Sequence, residues 1–351
     1  MTTPPTPAVL DLSGDGLCDL AELELDPELV ELTLMHNRLQ RIERLEPLTK
    51  LERLNLRANR IHQVEGLQCC LQLRELELYE NQLVQLRGLD GLSRLEVLDV
   101  SFNQLPRIEG LEGAGLGSLR QLYLANNQIG VIEGLRGLPA LQLLELGSNR
   151  IRSVQNIEHL TTLEELHLGR NKLTQLLGLQ SLRHLRVLGV ASNRLRSLEG
   201  VGALTQLREL YADHNGIESM APLAPLDALH TLELSHNRVC EVACASLGAL
   251  EELWLNNNQI ESAQQLAEVA RLPNLRTIYL AGCPISRMPD YASTVIGLAP
   301  ATLSQLDADA VTVHLAAAPT PASAGSAAVE SNGVAVPGES GRSAHPHATR
   351  R

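Results

Sequence analysis

The sequence predicts an α/β solenoid, with a curved parallel β-sheet on the concave face and short helices or 3-10 turns on the convex face. A frame, LxxLxLxxNxI, recurs about twelve times, from "LVELTLMHNRL" to "LRTIYLAGCPI", at 22-residue spacing with three exceptions. One unit has too few leucines to bury a core alone, so the units must stack. This frame is the signature of a leucine-rich repeat. The predicted fold class is therefore a leucine-rich-repeat solenoid of about 12 repeats with N- and C-terminal caps.

The asparagine of the frame predicts a ladder of side chains that hydrogen-bond the backbone of adjacent turns. Those backbone amides would otherwise be unsatisfied, at about 1–3 kcal/mol each. The twelfth slot holds Cys283, a small and weakly polar substitute. Three residues are added before it, where "SAQQLAEVARLPN" predicts a longer convex helix. The ladder comprises Asn37, Asn59, Asn81, Asn103, Asn127, Asn149, Asn171, Asn193, Asn215, Asn237 and Asn258.

Both ends of the array need caps, because a terminal repeat would expose its apolar side. We expect a disordered N-terminus at 1–8, an N-terminal cap at 9–28, the repeats at 29–285 and a C-terminal cap at 286–314. Residues 315–351 are rich in Ala, Pro, Ser and Gly and cannot bury enough apolar area to fold. This tail is expected to be disordered.

The third, fifth and seventh positions of the frame flank the inward leucines and are predicted to form the concave surface. They hold ten acidic residues, only two bases (Arg53 and Arg57) and five of the seven aromatic residues. Trp254, the only tryptophan, lies there between Leu253 and Leu255. The acids and aromatics are Glu31, Glu75, Glu77, Tyr79, Asp99, Tyr123, Glu145, Glu165, Glu209, Tyr211, Asp213, Glu233, Glu252, Trp254 and Tyr279.

Exposed aromatic residues in an acidic surround are typical of a surface that recognises a basic protein. One buried Trp in such an interface can contribute more than about 2 kcal/mol. The alternative is that the acids merely keep the sheet soluble, but solubility alone does not require exposed Trp and Tyr. Trp254 is therefore predicted to anchor a partner.

Composition and the N-terminal sequence argue against several other classes of protein. The net charge of −12 argues against a nucleic-acid binder, which normally carries a basic patch. The start, "MTTPPTPAVLDLSGDGL", does not resemble a signal peptide, and no run approaches the roughly 20 apolar residues of a membrane helix. Six cysteines without disulfide spacing favour a reducing, intracellular location. We expect a monomer when the chain is on its own.

No catalytic, cofactor or paired zinc-ligand motif is found, and an open solenoid face offers no pocket that excludes water. Neither enzymatic activity nor a cofactor is therefore expected. Cys240 and Cys244 in "CEVAC" have a spacing seen in some metal sites, but no second Cys/His pair lies nearby in sequence. His214 and His236 precede ladder asparagines on adjacent repeats, where polar rim residues are favoured over a metal site. No metal is expected.

The segments "LEVLDVSFN", "LQLLELGSNRIRSVQNIEHL", "LRELYADHNGIE" and "LEELWLNNNQIES" carry a resemblance to a known family. With the C-terminal "DYASTVIGLAPATLSQLDA", the chain resembles the leucine-rich-repeat regulatory subunits of protein phosphatase 1, the regulatory subunit 7 family, over about residues 29–310. The resemblance implies a non-enzymatic solenoid that binds the phosphatase catalytic subunit through its concave face, and it implies nuclear residence. The implied contacts are Asp99, Tyr123, Glu145, His167, Glu233, Glu252, Trp254 and Tyr279.

One of these positions departs from the family, because His167 stands where the family tends to carry Phe. Neighbouring Tyr211 is expected to compensate and joins the predicted contacts. Gly189 is predicted to leave a flat, uncharged strand. The basic-Val-x-Phe docking peptide of many phosphatase-1 partners is missing, since the single Phe, Phe102, has no base before it. Binding is therefore expected to use the folded face.

The first hypothesis for function is a subunit that binds a type-1 Ser/Thr phosphatase and controls its activity, maturation or location, in the nucleus or cytoplasm. The second is a leucine-rich-repeat scaffold for a cytoskeletal, ciliary or other basic protein, and phosphatase affinity separates the two. An RNA-particle subunit is disfavoured by the acidic face. An extracellular receptor would need a signal peptide and cysteine-rich caps.

Overall fold

A computed structural model describes residues 8–311 and shows one curved sheet of 15 strands in chain order. Every pair of neighbours is parallel except the last, β14 and β15, which is antiparallel. Twelve strands, β2–β13, carry the twelve frame repeats, and we call them rungs 1–12. The strands β1–β15 are, in order, Ala8–Asp11, Leu29–Thr33, Arg53–Asn55, Glu75–Glu77, Val97–Asp99, Gln121–Tyr123, Leu143–Glu145, Glu165–His167, Val187–Gly189, Glu209–Tyr211, Thr231–Glu233, Glu252–Trp254, Thr277–Tyr279, Gln305–Leu306 and Asp309–Ala310.

The core is a continuous stack of frame leucines along the inside of the solenoid. The central residue of a typical rung, such as Leu98 or Leu210, is fully buried, while the residues on either side of it are partly accessible on the concave face. Each buried leucine stabilises the fold by about 1.5–3 kcal/mol relative to exposure. The predicted leucine-rich-repeat solenoid is confirmed, and so is the predicted alternation around the central residue of each rung, except at Gly189, which is buried.

The asparagine ladder links consecutive turns as predicted. Asn149 accepts a hydrogen bond at Oδ1 from the backbone N–H of Ile129 (3.0 Å) and donates from Nδ2 to the carbonyl oxygens of Leu124 (2.9 Å) and Leu146 (3.0 Å). The same three-way pattern is seen at Asn59. Each side chain therefore ties its own turn to the preceding one.

Cys283 takes over part of this role in rung 12. Its thiol donates to the carbonyl oxygen of Leu255 (3.1 Å), and its sulfur accepts from the backbone N–H of Asn258 (3.4 Å). Burial raises the pKa of this thiol, which keeps it protonated and unreactive. The prediction that Cys283 is a structural substitute is confirmed.

The convex side consists mainly of turns, with four short 3-10 helices. Three of these, Val201–Ala203, Ala221–Leu223 and Pro284–Arg287, are a single turn long. The fourth, Ala263–Arg271, is the predicted longer convex helix, and the Gln265 side chain accepts from the backbone N–H of Ser262 (3.1 Å) at its start. No helix among residues 8–311 is long and apolar enough to cross a bilayer.

Both ends of the described chain are covered by extra elements. At the N-terminal side β1 pairs with rung 1, and Leu20 is buried beneath the intervening turn. At the C-terminal side the helix α1 (Tyr291–Leu298) is followed by β14, which pairs with rung 12. Ala8, predicted within the disordered N-terminus, is the first residue of β1. Residues 1–7, the last three residues of the predicted C-terminal cap and the predicted tail 315–351 lie outside the described residues.

Candidate partner-binding face

The predicted contact residues lie together on the concave sheet. Eight of them occupy the last position of their strands and form a single row, in which Asp99, Tyr123, Glu145 and His167 are successive register partners. After Gly189 the row continues through Tyr211, Glu233, Trp254 and Tyr279. Glu252 lies two residues before Trp254, in the neighbouring row. Parallel neighbours are about 4.8 Å apart, so the row spans rungs 4–12 over about 40 Å.

Three carboxylates of the row are held by their own backbone. Asp99 accepts from the N–H of Ser101 (2.8 Å), and Glu233 accepts from the N–H of Ser235 (2.9 Å). Glu145 accepts from the N–H of Gly147 (2.5 Å). Each bond joins a residue to the second residue after it, so it fixes the carboxylate at the point where the strand ends.

These carboxylates are partly buried, and burial raises the pKa of Asp99, Glu145 and Glu233 above their ordinary values. The backbone hydrogen bonds and, for Glu145, the nearby His167 act in the opposite direction. Within residues 8–311 none of the three forms a salt bridge with Lys or Arg within 4.0 Å. A cationic group from a partner would therefore gain a charge interaction that the free chain leaves open.

Trp254 and Tyr279 form a stacked aromatic pair at the C-terminal end of the row. Their ring centroids are 4.1 Å apart and their planes differ by 12°. The Tyr279 hydroxyl accepts from Nε2 of Gln305 (2.6 Å), a residue of β14. In the row, Trp254 lies next to the half-buried Glu233, and the exposed Glu252 lies two residues earlier on the same strand as Trp254. The pair is a rigid apolar platform flanked by negative charge.

The other two tyrosines of the row have their hydroxyls engaged within the same strand. Tyr123 donates to Oε1 of Gln121 (3.1 Å), and Tyr211 donates to Oε2 of Glu209 (2.7 Å). Burial and the nearby Glu209 raise the pKa of Tyr211. Both rings therefore lie along their strands and present a partly accessible aromatic surface to the concave side.

The row of acidic and aromatic side chains is interrupted in its middle, at His167 and Gly189. A Cβ added at Gly189 would lie 3.0 Å from Nδ1 of His167, so the imidazole occupies the space that a side chain at rung 8 would need. Nε2 of His167 is 3.5 Å from Oε2 of Glu165. Gly189 is buried, which agrees with the predicted flat rung.

The sequence predicts that His214 and His236 lie on adjacent rungs, but it predicts neither the stacking of their rings nor a contact between Tyr79 and Phe102. His214 and His236 are stacked with centroids 4.1 Å apart, and Nδ1 of His214 is 2.8 Å from Oδ2 of Asp213. At the other end of the solenoid, Tyr79 packs against Phe102 with a centroid distance of 4.7 Å. The spacing placed the two histidines on adjacent rungs, but ring orientation is decided by local rotamers and carries no sequence signal.

The geometry of the remaining candidate groups agrees with structural roles. Cys240 is exposed and Cys244 is buried, and burial raises the pKa of Cys244 to about 12. The two thiols of "CEVAC" therefore do not face a common site. Within residues 8–311 no group of three His, Cys, Asp or Glu side chains has the geometry of a metal site.

Comparison with known proteins agrees with this architecture. Family models for leucine-rich repeats match residues 118–160 and 249–293 in two-copy form, and residues 84–129 and 159–175 singly. The chain is a leucine-rich-repeat protein. No curated protein sequence matches it.

Solved structures share the fold along most of the chain. The crystal structure of an internalin from Listeria monocytogenes matches with a TM-score of 0.72 at 24% identity, covering 85% of this chain and 86% of that one. A leucine-rich-repeat protein of Leptospira interrogans matches with a TM-score of 0.64 at 26% identity, covering 80% of each chain. These likenesses show that the fold is a leucine-rich-repeat solenoid.

Proposed function

We propose that this chain is a non-enzymatic regulatory subunit that binds the catalytic subunit of a type-1 Ser/Thr protein phosphatase through its concave face. In this proposal it modulates the activity, maturation or localisation of the phosphatase inside the cell, in the nucleus or the cytoplasm. The observation that carries the proposal is the row Tyr211, Glu233, Trp254 and Tyr279, in which acids and aromatics occupy consecutive strands. The sequence resemblance supports the choice of partner.

A basic protein surface would gain both an apolar anchor and charge interactions at this face. The Trp254–Tyr279 stack offers a flat apolar anchor whose rings are already ordered, so little side-chain entropy is lost on binding. Glu233 and Glu252 flank this anchor and have no salt-bridge partner within residues 8–311. An aromatic centre with charged neighbours is the usual composition of a binding hot spot.

The concave face offers little for catalysis. A cavity of about 170 Å³ near the N-terminal end, lined in part by Glu31, Arg53 and Glu77, is smaller than a typical ligand pocket. Two of its lining groups are paired, since Arg53 is 2.7 Å from Glu31, and a third, Glu77, is 3.4 Å from Arg57 outside the lining. The small volume of this cavity supports a role in binding and not in turnover.

A second candidate is a scaffold for a cytoskeletal, ciliary or other basic protein. It is favoured by the same acidic row, because unpaired carboxylates and a stacked aromatic pair fit many basic surfaces. The two candidates differ only in the partner, so phosphatase affinity distinguishes them.

The test is calorimetric titration of the chain with a phosphatase-1 catalytic subunit. We expect wild-type binding at a Kd of about 1 μM or tighter. The double variant Glu252→Ala with Trp254→Ala should weaken binding at least about tenfold, because it removes the anchor and one flanking charge. Wild-type affinity should also fall as salt rises, since the contacts are between opposite charges.

A matched control replaces one acid and one large apolar residue away from the concave strands. Leu177 and Glu241 are both exposed, and Leu177→Ala with Glu241→Ala should leave affinity unchanged. Circular dichroism should be the same for all three proteins. Absence of wild-type binding would eliminate the phosphatase and leave the scaffold, and equal losses in both double variants would eliminate the concave face as the site.

A further inference from the structure

A second surface lies on the edge of the solenoid where the strands end. Three of the large apolar residues that are exposed within residues 8–311 fall in rungs 3–5: Val84 (48% exposed), Phe102 (45%) and Val131 (43%). Pro106 is also exposed and takes the same position in rung 4 that Val84 takes in rung 3. In the other rungs the positions of Val84 and Val131 are almost all polar. We call these four residues the edge patch.

The edge patch coincides with a gap in a row of positive charge. The position directly after the ladder asparagine holds a base in six of the twelve rungs, including rungs 1–2 and 6–8, but it holds Gln82, Gln104 and Gln128 in rungs 3–5. On the N-terminal side of this gap the bases are Arg38 and Arg60, both exposed. On the C-terminal side they are Arg150, Lys172 and Arg194. The neutral and apolar stretch is thus bordered by bases at both ends.

Phe102 is not required by the fold. It occupies the position before the ladder asparagine, where the backbone is left-handed in every rung and Phe102 itself has φ of 55°. The same position accepts residues as different as Ala58, Ser148 and Arg170. The repeat frame therefore does not explain why a solvent-exposed phenylalanine occupies this position.

The neighbouring side chains hold Phe102 in an outward position. Tyr79 packs against one side of its ring with a centroid distance of 4.7 Å. The Arg57 guanidinium carbon lies 4.6 Å from the Tyr79 centroid, and Arg57 also pairs with Glu77 at 3.4 Å. The stack of Arg57, Tyr79 and Phe102 thus has an ordered ring at its outer end.

The charged groups near the edge patch are of both signs. Glu80, exposed, takes on rung 3 the position that Phe102 takes on rung 4. Arg87 and Glu133 are exposed a few residues after Val84 and Val131, and Arg107 is paired with Glu109 at 3.8 Å. These charges largely offset one another, so the flanking bases beyond these rungs set the sign of the surrounding potential. A surface with an apolar centre and basic residues at both ends is complementary to a peptide segment with an apolar centre and acidic ends.

We propose that the edge patch docks a protein segment whose apolar side chains are flanked at both ends by Asp or Glu. The borders at Arg60 in rung 2 and Arg150 in rung 6 are four strand spacings apart, or about 19 Å. An extended segment covers that distance in about six residues. This inference goes beyond the proposed function, because the concave face takes a basic surface and the edge patch takes an acidic segment.

The probe is a fluorescein-labelled peptide, Glu-Asp-Ala-Leu-Phe-Ala-Leu-Asp-Glu, titrated with the full chain by fluorescence anisotropy. Two reference peptides replace either the acids with Lys or the Leu-Phe-Ala-Leu core with Ser and Gly. We expect the acidic apolar peptide to bind at least about tenfold more tightly than either reference, because only it matches both the centre and the borders. Equal affinities for the three peptides, or no binding of the first at millimolar protein, would overturn the proposal.

Variants locate the site and keep it distinct from the concave face. Phe102→Ser should weaken binding at least about fivefold without unfolding, since Ser148 and Ser192 occupy the same backbone position. Arg60→Gln with Arg150→Gln should weaken binding and reduce its salt dependence. The matched control His236→Ser, at the same position in rung 10, and Trp254→Ala should bind as wild type does. A loss with either control, or no loss with Phe102→Ser, would show that the peptide binds elsewhere.

Discussion

Glu233 is half-buried in the row of the concave face, between Tyr211 and Trp254 on the neighbouring strands. Burial raises the pKa of its carboxyl group above the ordinary value of 4.5. A raised pKa in the folded state means that the ionised form costs stability. This cost is complete above the folded pKa and disappears as pH falls below the unfolded pKa.

Glu233→Gln should therefore stabilise the free chain at pH 7, and the gain should vanish at about pH 4. The amide oxygen still accepts the hydrogen bond that Ser235 donates, so the local geometry is kept. The same change should weaken phosphatase binding about five- to tenfold, because it removes a flanking charge. Thermal unfolding at several pH values measures the first effect and calorimetry the second. Glu241→Gln, at an exposed position, is the control; a variant less stable than wild type at pH 7 would contradict this account of Glu233.

At the scale of the element, the short strand β14 connects the C-terminal cap to the predicted site. Gln305 donates from Nε2 to the Tyr279 hydroxyl (2.6 Å) and to the carbonyl oxygen of Asp307 (2.9 Å). Tyr279 in turn stacks on Trp254. The orientation of the aromatic pair therefore depends on a side chain outside the repeats.

Gln305→Leu should loosen the aromatic pair while leaving the strands in place. We expect a weaker near-UV circular dichroism signal and a shifted emission of Trp254, the only tryptophan. Phosphatase affinity should fall about three- to fivefold, since the anchor loses order before binding. Ser304→Ala, on the same segment but exposed, is the matched control. An unchanged near-UV spectrum would show that stacking alone fixes the ring.

The row of acids and aromatics on the concave face can be predicted from the sequence, but the contribution of Gln305 cannot. Strict 22-residue spacing and a two-residue side-chain period place Glu233, Trp254 and Tyr279 on one face without any structure. Gln305 follows the last frame repeat, where no period sets the register. Phe102 was predicted on a rung but not against Tyr79, because a contact between side chains on different rungs depends on rotamers.

For the whole molecule, stability is a sum over rungs and their interfaces, and each rung contacts only its neighbours. The end of the sheet is therefore a weak point unless its last backbone groups are satisfied. In inner rungs the N–H after the strand bonds to the next strand, as Leu255 does to Tyr279 (2.8 Å). At rung 12 the Asp307 carboxylate replaces that strand, accepting from the N–H groups of Leu280 (2.7 Å) and Ala281 (2.8 Å).

Asp307→Ala should consequently let the solenoid fray from its C-terminal end. Two backbone amides lose their acceptor, and the Tyr291 hydroxyl, which donates to Asp307 at 2.6 Å, loses its partner. We expect a loss of about 1–3 kcal/mol in the free energy of unfolding. In urea, Trp254 fluorescence should report an earlier midpoint than far-UV circular dichroism, because rung 11 lies next to the damaged end. Asp309→Ala, exposed in β15, should keep both midpoints together and near wild type. Coincident midpoints in Asp307→Ala would instead mean that the twelve rungs unfold as one cooperative unit.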